Sequence, residues 1–338
     1  MIGMLEVIDG GIGNGIQDAG RFGFRHMGIT VSGWLDPLLA RCANALVGNG
    51  PDCACIEIRG AGPTLGVRHG RVRVAVAGDM TLTVHRANGQ SFPLPAWESL
   101  VLDPQDALET GFLAGGTAYL AVGGGVATPL QLGSRSTYQR ARIGGVNGHL
   151  LVSGDVLPCG ALGRNECREY QAPPWQHVQG AVRVMLGPQD GHFKPESLQL
   201  LLSSEYQVTP QMDRMGMRLD GPALAHIRPE AADIVSDGVT PGVIQVPGNG
   251  LPIILLADCQ TVGGYPKIAT VISADLPRLA QLKPGQTVRF CAVSAVEARA
   301  ARAESEERWC AWVQQLTYGL HNASSVGDDV DAFWNAAG

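Results

Sequence analysis

Glycine recurs throughout this chain between short apolar runs, and that punctuation constrains the fold more than any other feature. Glycine accounts for 45 of 338 residues, about twice the usual share of roughly 7%. Such spacing suits short strands joined by tight turns better than long helices. Leu5 to Ile8, Cys55 to Ile58, Val72 to Ala77, Thr81 to His85, Leu100 to Leu102 and Ala118 to Val122 read as strands in the first half. Val182 to Leu186, Val243 to Val246, Ile253 to Leu256 and Val288 to Val293 continue the pattern in the second. In Arg71-Val72-Arg73-Val74 the period of two predicts buried valines and arginines turned to solvent.

Helical signals are few. Asp36 is placed to cap a helix with Pro37 at its first position, an apolar stripe from Leu38 to Leu46, and Gly48 just beyond its end. A short helix is expected from near Asp275. A longer one from Ala295 to about Leu316 should pack by Trp309, Trp312, Val313 and Leu316. Strands this numerous with helices this few predict barrels or sandwiches, mainly β with some α.

A chain of 338 residues exceeds the roughly 250 to 300 over which one core grows, so two lobes are expected. The aperiodic stretch from Pro158 to Gly180, with Pro173-Pro174, is the best join. It gives lobes over 1–170 and 171–294 and a helix with a polar tail over 295–338. The charge balance, 25 − 31 = −6 without long basic runs, argues against nucleic acid as a partner. No stretch approaches the roughly 20 apolar residues that span a bilayer. With no basic leader ahead of an apolar run, a cytoplasmic protein is expected. Eight cysteines, Cys167 among them, show neither zinc-ligand spacing nor a disulfide framework, and no metal site is expected.

Candidate chemistry gathers in five places along the chain. Asp18 and Arg21, with Ser32, Asp36 and Asn44, crowd polar groups around tight turns, where they either line a cleft or serve as a turn ion pair and a helix cap. Arg135, Ser136 and Tyr138 sit in a glycine-preceded turn suited to an anion or to its own hydrogen bonds. Arg214 either pairs a carboxylate or caps a surface loop. Gln245 lies on a strand. The run Asp258 to Lys267 follows another and offers Asp258, Gln260, Tyr265 and Lys267 around paired Gly263 and Gly264, as a site or as a plain turn with an exposed lysine. The cluster Gly10 to Gly15 fails the dinucleotide fingerprint at Ile16, and no phosphate loop of the GxxxxGK[ST] type exists.

Taken in order, QDAGR, SGWLDPLLARCANALVGN, YLAVGGG, LGSRSTY, DRMGMRL, DCQTVGGYPK and DLPRLAQLKPGQTVRF resemble the biotin-dependent carboxyltransferase family, described as allophanate hydrolase subunit 2-like. That family includes the C subunit of 5-oxoprolinase, the carboxyltransferase domain of urea carboxylase and the Kip antagonist. The resemblance implies two lobes, each built on a cyclophilin-like β-barrel. Two positions depart from the family pattern: Val262 stands where a second threonine is usual, and Cys259 where arginine or glycine is common.

The resemblance implies a subunit of an ATP-dependent 5-oxoprolinase-type amidohydrolase, acting on an amide or ureido small molecule with a homologous B-type subunit and an A-type oxoprolinase subunit. A urea carboxylase or allophanate-pathway carboxyltransferase is the alternative, and a regulatory protein of the Kip antagonist type is a third reading. Biotin and ATP would enter through partner subunits. This chain carries no biotinyl-lysine motif, so it is expected to be inactive alone and to bind neither cofactor alone. On residue chemistry, Lys267, Tyr265 and the amides of Gly263 and Gly264 would donate to developing negative charge, with Asp258 or Asp237 as base.

Overall fold

A computed structural model describes residues 3–113, 115–160 and 168–320. Cys167 and the polar tail from residue 321 lie outside the described residues. Compact packing divides the chain into two units, one of residues 1–19, 37–175 and 310–338, the other of residues 20–36 and 176–309. The arm Gly20–Asp36 therefore belongs with the second unit, although the pattern of the sequence placed it in the first lobe. Leu35 is the one residue of the arm in the main apolar core of that unit, so hydrophobic patterning could not assign the segment.

The first unit holds two larger antiparallel sheets and a two-stranded one in which Arg168–Gln171 pairs with Thr317–Leu320, a strand where the sequence suggested only a polar tail after the last helix. Its strands are β1 (Met4–Asp9), β2 (Gly15–Gln17), β3 (Cys55–Ile58), β4 (Thr64–His69), β5 (Val72–Ala77), β6 (Leu82–His85), β7 (Ser91–Leu94), β8 (Ser99–Leu102), β9 (Ala107–Thr110), β10 (Ala118–Val122), β11 (Val156–Pro158) and β12 (Arg168–Gln171). One of the larger sheets has the order β11-β1-β4-β9-β6-β7, the other β2-β3-β10-β5-β8. Both contribute to one core, in which Leu5, Val7, Ile56, Ile58, Leu65, Val74, Val76 and Leu120 are shielded from water. Helix α1 (Pro37–Leu46) buries Leu38, Leu39, Cys42, Ala45 and Leu46. It stops at Gly48, whose φ of 77° is a left-handed conformation glycine adopts without a side-chain clash.

One expectation fails at β5, which is buried along its whole length. Arg73 is enclosed rather than solvated. Its Nη1 donates to Val47 O at 3.3 Å, just past α1, and its guanidinium lies 5.6 Å from the centre of the Tyr170 ring. A helix and an aromatic ring cover the second face of the strand, so the alternation reports two packed faces with different chemistry. Of the expected tryptophan face, Trp312 is buried edge-on against Trp97 and Trp175 with its Nε1 donating to Pro173 O at 2.8 Å, whereas Trp309, Val313 and Leu316 are half-buried and the helix ends at Val313.

In the second unit, β13 (Val182–Leu186), β14 (Tyr206–Met212), β15 (Gly216–Asp220), β16 (Asp237–Gly238), β17 (Val243–Gln245), β18 (Ile253–Leu255), β19 (Val262–Gly263), β20 (Lys267–Val271), β21 (Thr287–Val288) and β22 (Phe290–Ala292) alternate with α2 (Pro195–Ser203), α3 (Leu276–Leu279) and α4 (Ala295–Val313), the last of which ends within the first unit from residue 310 on. Eight of these strands form one sheet ordered β21-β14-β15-β18-β17-β20-β13-β22, and β16 with β19 makes a separate two-stranded ribbon. Val184, Leu201, Tyr206, Met217, Ile244, Ile254, Ile268 and Phe290 fill the core. Asp275, fully buried ahead of α3, accepts from the Arg183 backbone N–H at 2.7 Å and from Arg183 Nη2 at 2.6 Å. The mainly β architecture matches the expectation. Among the described residues no helix is long and apolar enough to cross a membrane.

Asp106 provides a test of how the first unit holds its turns. Its buried carboxylate accepts from Arg86 Nη1 at 2.6 Å and from the N–H groups of Asp103 and Ala87 at 2.8 and 2.9 Å. Burial alone would raise its pKa, but these three donors outweigh burial and hold it below the ordinary 3.8. A depressed folded-state pKa contributes stability above the unfolded value and loses it as pH falls through the folded one. Asp106→Asn should therefore cost about 2 kcal/mol in urea unfolding at pH 7, with the difference from wild type shrinking below about pH 4. A difference independent of pH would show that the charge contributes nothing.

Candidate functional site

Lys267 opens β20 opposite Gln245 of β17, and its side chain runs inward rather than into solvent. The residue is 3% exposed, which rules out a surface lysine. Its Nζ donates to Asp237 Oδ2 and, at 3.0 Å, to Gly238 O. Asp237 itself is exposed, so a buried ammonium is paired with a carboxylate that water can reach. The hydrogen bond from Lys267 holds the Asp237 carboxyl below the usual carboxylate range, with help from the Gly238 N–H. Asp237 therefore stays ionised at neutral pH and is a weak base.

The ribbon of β16 and β19 positions this pair by setting Asp237 opposite Gly263. A side chain at Gly263 would collide with Gln245, since a Cβ there would lie 2.6 Å from Gln245 Nε2. A side chain there would push the Gln245 amide aside. Gln245 Nε2 donates to Tyr265 O at 3.2 Å, and Gln260 Nε2 reaches Gln245 Oε1 at 3.4 Å. Gly264 accepts the Ile234 N–H through its carbonyl at 2.8 Å, while Tyr265 is exposed.

Asp258 and Arg214 form the other fixed point. Arg214 Nε and Nη2 donate to Asp258 Oδ2 and Oδ1 at 2.9 and 3.2 Å, and Nη2 also reaches Gly33 O of the arm at 2.5 Å. A carboxylate clamped on both oxygens by a guanidinium fixes the segments that carry the two side chains relative to each other. In the arm, Thr30 Oγ1 donates to Ala257 O at 3.1 Å and the Arg21 N–H to Val31 O at 2.7 Å. Arg21 and Ser32 are both buried. Asp36 Oδ2 lies 2.9 Å from His177 Nε2 and accepts from Gln281 Nε2 at 2.8 Å.

Two participants escape the sequence. Gln189 accepts the Lys267 N–H at 3.2 Å through Oε1 and reaches Asp237 Oδ2 through Nε2 at 3.4 Å. Arg25 Nη2 donates to Val239 O and to Gln260 O, the latter at 3.3 Å, next to the ribbon. Gln189 lies 78 positions before Lys267 in a turn without a motif, and Arg25 reads as an ordinary surface arginine. Only the folded backbone brings either one into place.

The remaining candidates belong to the first unit. Asp18 Oδ1 accepts from Ser134 Oγ and Ser136 Oγ, each at 2.6 Å, and Oδ2 from the Arg135 N–H at 2.5 Å. Arg135 Nε donates to Thr128 O at 2.8 Å, and the Tyr138 N–H to Ile143 O at 2.8 Å. Asn44 Nδ2 donates to Cys53 O at 2.8 Å while its Oδ1 accepts from Asn49. These contacts staple turns, and they form a cluster of their own within the first unit. Among the described residues no group of three or more His, Cys, Asp and Glu is arranged to hold a metal ion.

The family profile described as carboxyltransferase domain, subdomain A and B, matches residues 27–292. The chain is 37% identical over 323 residues to the C subunit of 5-oxoprolinase from Escherichia coli (strain K12), covering 94% of this chain and 99% of that one. It is 30% identical over 326 residues to urea amidolyase of Saccharomyces cerevisiae, covering 90% of this chain but 17% of that protein. Among solved structures it resembles the K. lactis urea amidolyase at 27% identity and a TM-score of 0.81, over 91% of this chain and 20% of that one.

If the Arg214 and Asp258 pair anchors the second unit, Arg214→Ala strands a carboxylate that is 7% exposed. The expected cost is about 3 kcal/mol in urea unfolding, with Arg214→Lys recovering only part of it because an ammonium cannot clamp both oxygens. A loss under about 0.5 kcal/mol would mean that the pair behaves as a solvated surface contact.

Proposed function

Because the chain belongs to the carboxyltransferase family, subdomain A and B, we propose that it is the C-type subunit of a 5-oxoprolinase-type amidohydrolase, working with a B-type subunit on a small amide or ureido substrate. The observation that carries this reading is end-to-end correspondence with a free-standing protein of that type. In the urea amidolyases the matching region is a small part of a much longer chain. The carboxyltransferase chemistry of that second group is the related alternative, favoured by the likeness of fold.

Opening an amide or ureido group requires stabilising negative charge on its oxygen. In the second unit Lys267 is the buried cation suited to that task, because the carboxylate it meets, Asp237, is exposed and can yield to a ligand oxygen. Gln189 holds the backbone of Lys267 and the carboxylate of Asp237 together, so the ammonium is fixed before any ligand arrives. Tyr265, exposed beside it, is available as a further donor. Asp258 is paired with Arg214, whose guanidinium also holds the arm at Gly33. Biotin and ATP belong to the partner subunits in this reading, since the sequence offers neither a biotinyl-lysine motif nor a phosphate loop.

Purified alone, the chain should release no glutamate from 5-oxoproline and ATP, whereas the complex reconstituted with B- and A-type subunits should. In that complex Lys267→Met, which keeps the buried stem, should fold and assemble normally yet turn over at least tenfold more slowly, within the roughly 10²- to 10³-fold loss typical of one preorganised donor. Turnover by the isolated chain would remove the subunit reading. Wild-type turnover with Lys267→Met would remove Lys267 from the site.

A further inference from the structure

We propose that Ser32 is a ligand-contacting hydroxyl, placed to be satisfied by a small planar amide or ureide that presents a carbonyl oxygen beside an N–H. The inference rests on the amide or ureido reading above and narrows it to one atom. Two independent features of Ser32 lack an intramolecular explanation. Its Oγ is buried and meets no hydrogen-bond partner, although the residue is only 5% exposed. Its backbone φ of 53° is left-handed, a conformation that disfavours side chains other than glycine. Glycine at this position would relieve both the unsatisfied hydroxyl and the strained backbone. A residue that keeps both liabilities is characteristic of a binding site.

The neighbourhood fixes the backbone on both sides of Ser32. On one side Thr30 is bonded to Ala257 O, and on the other Gly33 O receives Arg214. Across the loop the Arg21 N–H closes on Val31 O, and Gly20, at φ 109°, approaches so tightly that a Cβ there would lie 2.7 Å from Val31 Cγ1 and 3.4 Å from Ser32 O. The arm is therefore bonded before and after Ser32, and the side chain between those bonds is left unsatisfied.

The chemistry of a hydroxyl selects the ligand class. It donates one hydrogen bond and accepts others, and it carries no charge. A lactam or cyclic ureide offers both complements on one neutral edge. A carboxylate or phosphate offers acceptors alone and calls for cationic groups, and the nearby guanidinium of Arg214 is already committed to Asp258 and Gly33.

The test uses the full chain and variants Ser32→Ala and Ser32→Gly, followed by thermal melting and calorimetric titration with 5-oxoproline, pyrrolidin-2-one and imidazolidin-2-one, with proline as a control lacking the amide edge. Without ligand, Ser32→Gly should melt above wild type and Ser32→Ala no lower than wild type, since each removes an unsatisfied buried group. With ligand, wild type should be stabilised by the lactams and the ureide but not by proline, and both variants should bind at least about tenfold more weakly. The inference is overturned if either variant melts below wild type in the absence of ligand, if either binds the probes as wild type does, or if wild type binds none of them. These measurements need no partner subunit, so a reconstituted complex without turnover would count against the functional reading and not against Ser32.

Discussion

One buried ion pair joins three separate segments of the second unit. Arg214 ties the turn before β15 to Asp258, at the end of the segment that leaves β18, and the same guanidinium holds the carbonyl of Gly33. Strand, loop and arm thus meet at a single planar group whose donors leave in fixed directions, which an ammonium could not reproduce. A buried pair adds little net stability compared with apolar packing, but losing either partner is expensive. Its role is accordingly to specify geometry. With Asp258 held, the chain from Gln260 to Lys267 has a defined origin, and the ribbon that carries Asp237 can register against it.

From that origin follows the asymmetry of the Lys267 pair. The ammonium is enclosed while its carboxylate faces water, so the cation alone has been removed from solvent. Desolvation strengthens its attraction for any anion that can approach. Water lowers the cost of displacing Asp237, because the released carboxylate can be rehydrated. A pair enclosed on both sides would be a structural lock, and a pair exposed on both sides would be screened to near irrelevance.

Much of the fold was legible in the sequence. Cys55–Ile58, Val72–Ala77 and Ala118–Val122 are strands at the expected residues, and α1 ends at its glycine as capping chemistry requires. Failures occurred where long-range packing decides. Arg73 looked solvated because period-two alternation normally marks one wet face, yet Tyr170 and the end of α1 cover it. Short strands such as Ala107–Thr110 and the helix Pro195–Ser203 carry too little periodicity to be seen. In the candidate site, the run from Asp258 to Lys267 stood out by its density of polar groups and glycines. Gln189 and Arg25 did not, because each acts through backbone groups that only the folded chain brings near.

The most direct test of the second unit as the ligand-binding body is hydrogen exchange on the reconstituted complex with and without 5-oxoproline. Ligand should slow exchange in the arm around Arg21 to Gly33, in Asp237 and Gly238, and from Asp258 to Lys267, the segments that converge on the Arg214 and Lys267 pairs. Protection confined to the first unit, around Asp18 and Ser134 to Tyr138, with those segments unchanged, would place the ligand elsewhere and contradict this assignment.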